Sequence, residues 1–147
     1  MEEPPSRTAG LAEVEILSLF ERWNEAMVGG NSAAVAALYA DDAVLLPTLS
    51  NRIRRDREGI ASYFKKFITW APRSRLLEGA VRLFGDVAVH SGAYRFTFGS
   101  GPFREVDARF TFVYARRQGS WRIVEHHSSM MPEVERLKPA RQAGSLA

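Results

Sequence analysis

The sequence predicts an α+β fold in which helices come first and then cover one face of a strongly curved antiparallel sheet. Three observations lead there. Apolar residues recur at helical spacing as far as about Ile68. From Ser74 onward the period changes to two. The intervals between the alternating segments, at Gly85 and Asp86, at Gly99 to Gly101 and at Gln118 and Gly119, are short enough for hairpins, so the strands form a meander.

Each element has its own signals. Ile16, Leu19, Phe20, Trp23 and Met27 mark a long amphipathic helix from Leu11 to Val28, stopped by Gly29 and Gly30. Asn31 or Ser32 caps a second helix with Val35, Leu38 and Tyr39 facing inward, ending before a turn at Asp41 and Asp42. Ala43 to Pro47 is a short apolar strand; Ser50 and Asn51 turn the chain so that Arg52 to Arg54 pair back on it. Asp56 caps a third helix carrying Ile60, Tyr63, Phe64, Phe67 and Ile68, which stops before Pro72 because proline disfavours helical geometry at Ala71. Long strands follow at Ser74 to Phe84, Val87 to Phe98, Glu105 to Arg117 and Ser120 to Pro132. Residues 10–132 form a single domain. Residues 1–9 and 133–147, rich in Pro, Gly, Ser or mixed charge, are expected to be flexible tails.

Alternation in the last hairpin gives the sheet two faces, neither of them simply solvent-facing. Ala108, Phe110, Phe112 and Tyr114 point one way; Asp107, Arg109, Thr111, Val113 and Ala115 point the other. On the last strand Val124, His126, Ser128 and Met130 share one face, and Trp121, Ile123, Glu125 and His127 the opposite one. The aromatic face suggests a cavity under the helices. The face of small and β-branched residues suggests a partner sheet.

Composition narrows the function. The chain has 147 residues, 46% of them hydrophobic, which suffices for one domain with a real core. It has no cysteine, which removes disulfides, thiolate metal sites and cysteine nucleophiles together. No long apolar run spans a membrane, and the acidic, proline-bearing start lacks the features of a secretory signal, so a cytoplasmic location is expected. The net charge is +3. The densest basic run, Arg52, Arg54, Arg55 and Arg57, reads as a solvated hairpin and helix start, and nucleic acid is not expected as a partner.

The order of two helices, a short hairpin, a third helix and long antiparallel strands resembles the nuclear transport factor 2-like fold, a cone-shaped half-barrel of three helices on a curved sheet. Within it, NEAMVGGNSAAVAALYADDAVLLPTLSN at Asn24 to Asn51 and FVYARRQGSWRIVEHHSSMMPE at Phe112 to Glu133 resemble the SnoaL-like and calcium/calmodulin-dependent kinase association-domain branch. The likeness extends to small proteins of actinobacterial enediyne and other polyketide clusters. It implies a homodimer packed back to back through the sheet. In the kinase hub, arginines converge on the pocket; here Tyr94, Phe112 and Ser128 fall at those positions, which suits a ring-bearing hydrophobic ligand better than a small carboxylate.

The candidate chemistry centres on His126. Histidine beside tyrosine hydroxyls can exchange a proton with a carbonyl compound or with the carbon next to it. Tyr94, Phe112, Tyr114 and Ser128 share its face, with Tyr39, Tyr63, Trp23 and Asn24 arriving from helices, and His90 has matching parity. Adjacent His126 and His127 point to opposite faces, so no metal site is expected. No glycine loop lies between a strand and a helix, so no nucleotide cofactor is expected either. Arg95, Arg109, Val113, Ile123, Glu125 and His127 form the expected dimer face, with Glu125 paired to an arginine. Two functions remain open: an accessory or cofactor-independent isomerase, cyclase or dehydratase acting on a hydrophobic polyketide-derived intermediate in antibiotic biosynthesis, and a non-catalytic association module whose cone is merely filled.

Overall fold

In the computed structural model, which describes residues 3–133 with side chains from Gly10 onward, helix α1 runs Glu3–Val28. It starts well before Leu11, so residues 3–9 are helical rather than a loose tail. Pro4 and Pro5 sit in its first turn, where a missing N–H removes no helical bond. The expected flexibility of the other tail falls on residues 134–147, outside the described residues. Ile16, Phe20, Trp23 and Met27 form the buried stripe of α1. Gly30 then turns the chain with φ +75°, a left-handed conformation that favours glycine.

Helix α2 is short, Ser32–Ala36, with the Asn31 side chain accepting the Ala34 N–H at 3.0 Å. Leu38 and Tyr39 therefore lie beyond it. Tyr39 instead opens strand β1, Tyr39–Leu46, so Asp41 and Asp42 belong to a strand and not to a turn. Asp41 pairs with Arg57 at 2.7 Å, and Asp42 with Arg117 at 3.1 Å. The short back-pairing at Arg52 to Arg54 reduces to one bridge, with Leu45 and Arg54 exchanging backbone hydrogen bonds of 2.8 and 2.9 Å. Helix α3, Arg57–Ile68, begins where the Asp56 carboxylate accepts the Gly59 N–H at 2.7 Å. It buries Ile60, Tyr63, Phe64 and Phe67.

Strands β2 (Pro72–Phe84), β3 (Val87–Phe98), β4 (Glu105–Arg117) and β5 (Ser120–Met130) form the antiparallel meander. The sheet order is β1-β5-β4-β3-β2, and β1 joins its edge parallel to β5. That parallel pair departs from an all-antiparallel sheet. It arises because α3 and the whole meander intervene between β1 and β5, so β1 reaches its partner by a long crossover rather than a hairpin. The sheet bends where Gly79 of β2 faces Gly92 of β3. A Cβ on Gly92 would stand 2.1 Å from the Glu78 carbonyl oxygen, so no other residue fits that approach.

A bulge in β5 corrects the face assignment. The register slips between Val113 and Tyr114, leaving Val124 as the extra residue, so Tyr114 faces Ile123 while Val113 faces Glu125. Ile123 is thus in the core at 2% exposure, not on the outer face, and Trp121 is half-buried. Met130, expected inward, is exposed. Past the bulge, His126 and Ser128 face inward, Glu125 and His127 outward.

Candidate functional site

The interior face of the sheet brings most of the expected residues together, but as a packed core. Trp23 stacks on Tyr94 with centroids 5.9 Å apart and planes at 3°, and Phe112 lies flat on the His126 ring at 3.9 Å. Phe20 adds tilted and edge contacts to Trp23, Tyr94 and Phe112. Tyr94 and Phe112 have no exposed surface, and His126 is 2% exposed. The space left between α1, α3 and the sheet is a void of about 10 Å³ beside Thr48, Tyr63, Tyr94, His126 and Ser128. The open cavity expected from the aromatic face is therefore filled: α1 inserts Phe20 and Trp23 where a ligand was anticipated.

Within this core runs a string of polar groups. The Trp23 Nε1–H donates to the Tyr39 hydroxyl at 3.1 Å, which lies 2.8 Å from His126 Nδ1. His126 Nε2 lies 3.1 Å from the Tyr94 hydroxyl, which donates to Ser128 Oγ at 2.7 Å; Ser128 in turn bonds Thr48 Oγ1. An indole N–H can only donate. The Tyr39 oxygen therefore accepts from Trp23 and sends its one proton to Nδ1. That assigns the remaining imidazole proton to Nε2, from which it is donated to Tyr94. One direction of donation thus leads from Trp23 in α1 to Ser128, which is bonded to Thr48 at the half-buried mouth.

Burial, with the nearby His127 adding a smaller effect, pushes the His126 pKa down to about 3. The imidazole is accordingly neutral near pH 7, which corrects its expected role as a group titrating there. It can orient and polarise the Tyr94 hydroxyl. Burial pushes the Tyr39 and Tyr94 phenols well above their ordinary value, partly opposed by their Trp23 and Ser128 hydrogen bonds, so both stay protonated.

Other expected residues fall elsewhere. Among the described residues the buried Tyr114 hydroxyl has no partner, and Phe112 separates His90 from His126 along one cross-strand row. Neither His90 nitrogen has a partner among the described residues, and burial lowers that group's pKa. Asn24 accepts the Ser74 N–H and hydroxyl at 2.8 and 2.9 Å, tying α1 to β2 rather than lining a pocket. On the outer face Arg95 makes a two-point ion pair with Asp107 at 2.7 and 3.0 Å within the chain. Arg109, Glu125 and His127 are exposed there and Val113 half-buried.

Two features were missed in the sequence. Thr48 lies in a turn, where no periodicity assigns its side chain a direction. Outside the Tyr63 and Phe67 rings a cleft of about 440 Å³ opens between the β1–α3 connection and the end of α3, lined also by Arg52, Arg54, Lys66 and Trp70. The basic run supplied the signal for it, although Arg57 faces elsewhere and bonds Asp41 and the Tyr39 carbonyl.

Helices packed on a curved five-stranded sheet are the architecture of nuclear transport factor 2-like proteins. Residues 12–132 match the family model of the calcium/calmodulin-dependent protein kinase II association domain, and the chain belongs to that family. A structure from Xanthomonas campestris, provisionally described as such an association domain, is 49% identical with a TM-score of 0.78, covering 82% of this chain and 88% of that one. A Pseudomonas putida NTF2-like protein of unknown function is 24% identical (TM-score 0.74, 86% and 92% covered). A Streptomyces avermitilis protein of the NTF2-like family, provisionally described as a dehydratase, is 19% identical (TM-score 0.71, 82% and 96% covered). These last two share the fold. Comparison with curated proteins finds no match.

Proposed function

We propose that this chain binds a ring-bearing hydrophobic small molecule at the mouth of its cone and serves as an accessory protein or cofactor-independent isomerase, cyclase or dehydratase. The observation that carries this reading is the polar string, which leads from the core to Thr48 and ends beside the void next to Tyr63. Thr48 and Leu49 lie in a half-buried turn that packs on the core and is tied to it by the Thr48–Ser128 hydrogen bond and a 3.4 Å bond from the Leu49 N–H to the Tyr63 hydroxyl, so this wall can move with few bonds lost. When that wall moves, the Tyr94 and Ser128 hydroxyls meet the ligand. Tyr94, backed by the His126 Nε2–H, then donates to a carbonyl oxygen of the ligand and polarises it. A polyketide-derived intermediate of the enediyne kind, processed in the cytoplasm during antibiotic biosynthesis, has the required rings and carbonyls; this finer assignment rests on the resemblance.

Phenol-ring NMR signals of Tyr63 and Tyr94, recorded while polycyclic aromatic ketones are added, test the reading. Shifts at both tyrosines, weakened in Ser128→Ala, are expected; unmoved tyrosines across the panel would refute it.

The closed interior favours a second reading, an association module acting through the outer face of the sheet. Ser91, Thr111, Val113 and Ala115 give that face a half-buried patch of small and β-branched side chains, suited to a second copy packing back to back. Val113→Arg is then expected to turn a dimer into a monomer by light scattering. An unchanged mass would exclude that interface.

A further inference from the structure

The cleft outside Tyr63 has one-sided chemistry. No acidic side chain lines it, and among the described residues none of Arg52, Arg54 and Lys66 forms an ion pair. Of the carboxylates close in sequence, Asp56 caps α3 and Asp41 holds Arg57, while Glu58 does not line the cleft.

Arg54 is held in place rather than free. Its Nη1 donates to Ser50 Oγ at 2.7 Å and to the Arg52 carbonyl at 2.6 Å, and its guanidinium lies 5.1 Å from the Tyr63 ring centre. Its Nε is buried and has no acceptor among the described residues. Burial, reinforced by the neighbouring Arg52 charge, lowers the Arg54 pKa, as expected for a cation set against another without an anion between them. The remaining walls, Tyr63, Phe67 and Trp70, are aromatic. A volume of about 440 Å³ falls in the range of small-molecule sites, roughly 300–1,000 Å³.

We infer that the cleft takes an amphipathic organic acid, with its carboxylate held by Arg52, Arg54 and Lys66 and its ring or chain lying on Tyr63 and Trp70 toward the void. This deepens the function proposed above and rests on it, because Tyr63 and Phe67 wall both the cleft and the void. It also adds a carboxylate to the ring-bearing hydrophobic ligand expected for a pocket without interior arginines: here the cations come from the hairpin and α3. A nucleic-acid strand is less well matched, since a short concave cleft offers no row of cations along which a phosphate backbone can run.

Isothermal titration of the full chain with naphthalene-2-carboxylate and naphthalene-2-carboxamide tests the assignment, alongside the variant Arg52→Gln, Lys66→Gln. Both replaced side chains are exposed, so the fold is retained. The expected result is that the acid binds about tenfold more tightly than the amide, that the gap closes in the variant, and that it shrinks at high salt. Equal affinity for acid and amide would overturn the anion site while leaving a hydrophobic binder in place. Binding of neither, together with unmoved Tyr63 and Tyr94 signals, would overturn both. A single-stranded oligonucleotide that displaces the acid and binds more tightly would also overturn it, making the patch a nucleic-acid surface.

Discussion

Replacing Tyr39 by Phe removes one oxygen and leaves two buried polar groups without partners. Trp23 Nε1, now 3.1 Å from an acceptor, and His126 Nδ1, now 2.8 Å from a donor, would face carbon instead. Water cannot replace the lost group, because Trp23 and Tyr39 are at most 1% exposed and His126 only 2%. Each unsatisfied buried group costs about 1–3 kcal/mol, so the pair should cost about 3–4 kcal/mol. For a domain of this size that lowers Tm by about 10 °C. Tyr114→Phe is the matched control: it deletes the same atom from another buried tyrosine, whose hydroxyl has no partner among the described residues, and should leave Tm unchanged or slightly raised. Circular dichroism melts of the two variants beside the parent chain make the comparison. Equal shifts would mean that the string contributes nothing beyond packing, and the reasoning behind the site would fail.

Acid should weaken the fold through His126. An unfolded histidine titrates near 6.5 and the folded one near 3, so between those values the unfolded chain binds more protons. The stabilisation is complete above pH 6.5 and falls by about 1.4 kcal/mol per pH unit below it. Urea midpoints at pH 7.5, 6 and 5 should therefore decline, with about 2 kcal/mol lost by pH 5, and a flat profile would contradict the neutral imidazole. His90, lowered by burial, acts with the same sign. Gly92→Ala should cost more than 3 kcal/mol, since its methyl meets backbone atoms of Glu78 and Gly79 that cannot rotate away; wild-type stability in a chemical melt would show that the sheet bend relaxes easily.

Parity along strands made much of the site legible. Tyr94, Phe112, His126 and Ser128 share the inner face, as alternation assigns them, and Asn31 and Asp56 cap the helices their side chains suggest. Alternation fails wherever the register slips. One extra residue at Val124 moved Ile123 from the presumed outer face into the core while leaving His126 inward. The parallel pairing of β1 with β5 depends on a contact across most of the chain, for which local pattern holds no signal. The inner face reads as aromatic and weakly polar, but whether such a face encloses a hollow depends on volumes delivered by α1. Phe20 and Trp23 close it. The basic cleft was hidden for a similar reason: Arg52 and Arg54 meet Lys66 only once the hairpin folds against the end of α3.

The ring-nitrogen NMR shifts of His126, followed from pH 7.5 to pH 5, test the polar string most directly. A proton fixed on Nε2, a bare Nδ1 and no titration across that range are the expected result. Shifts that titrate near pH 6.5, or that place the proton on Nδ1, would contradict it.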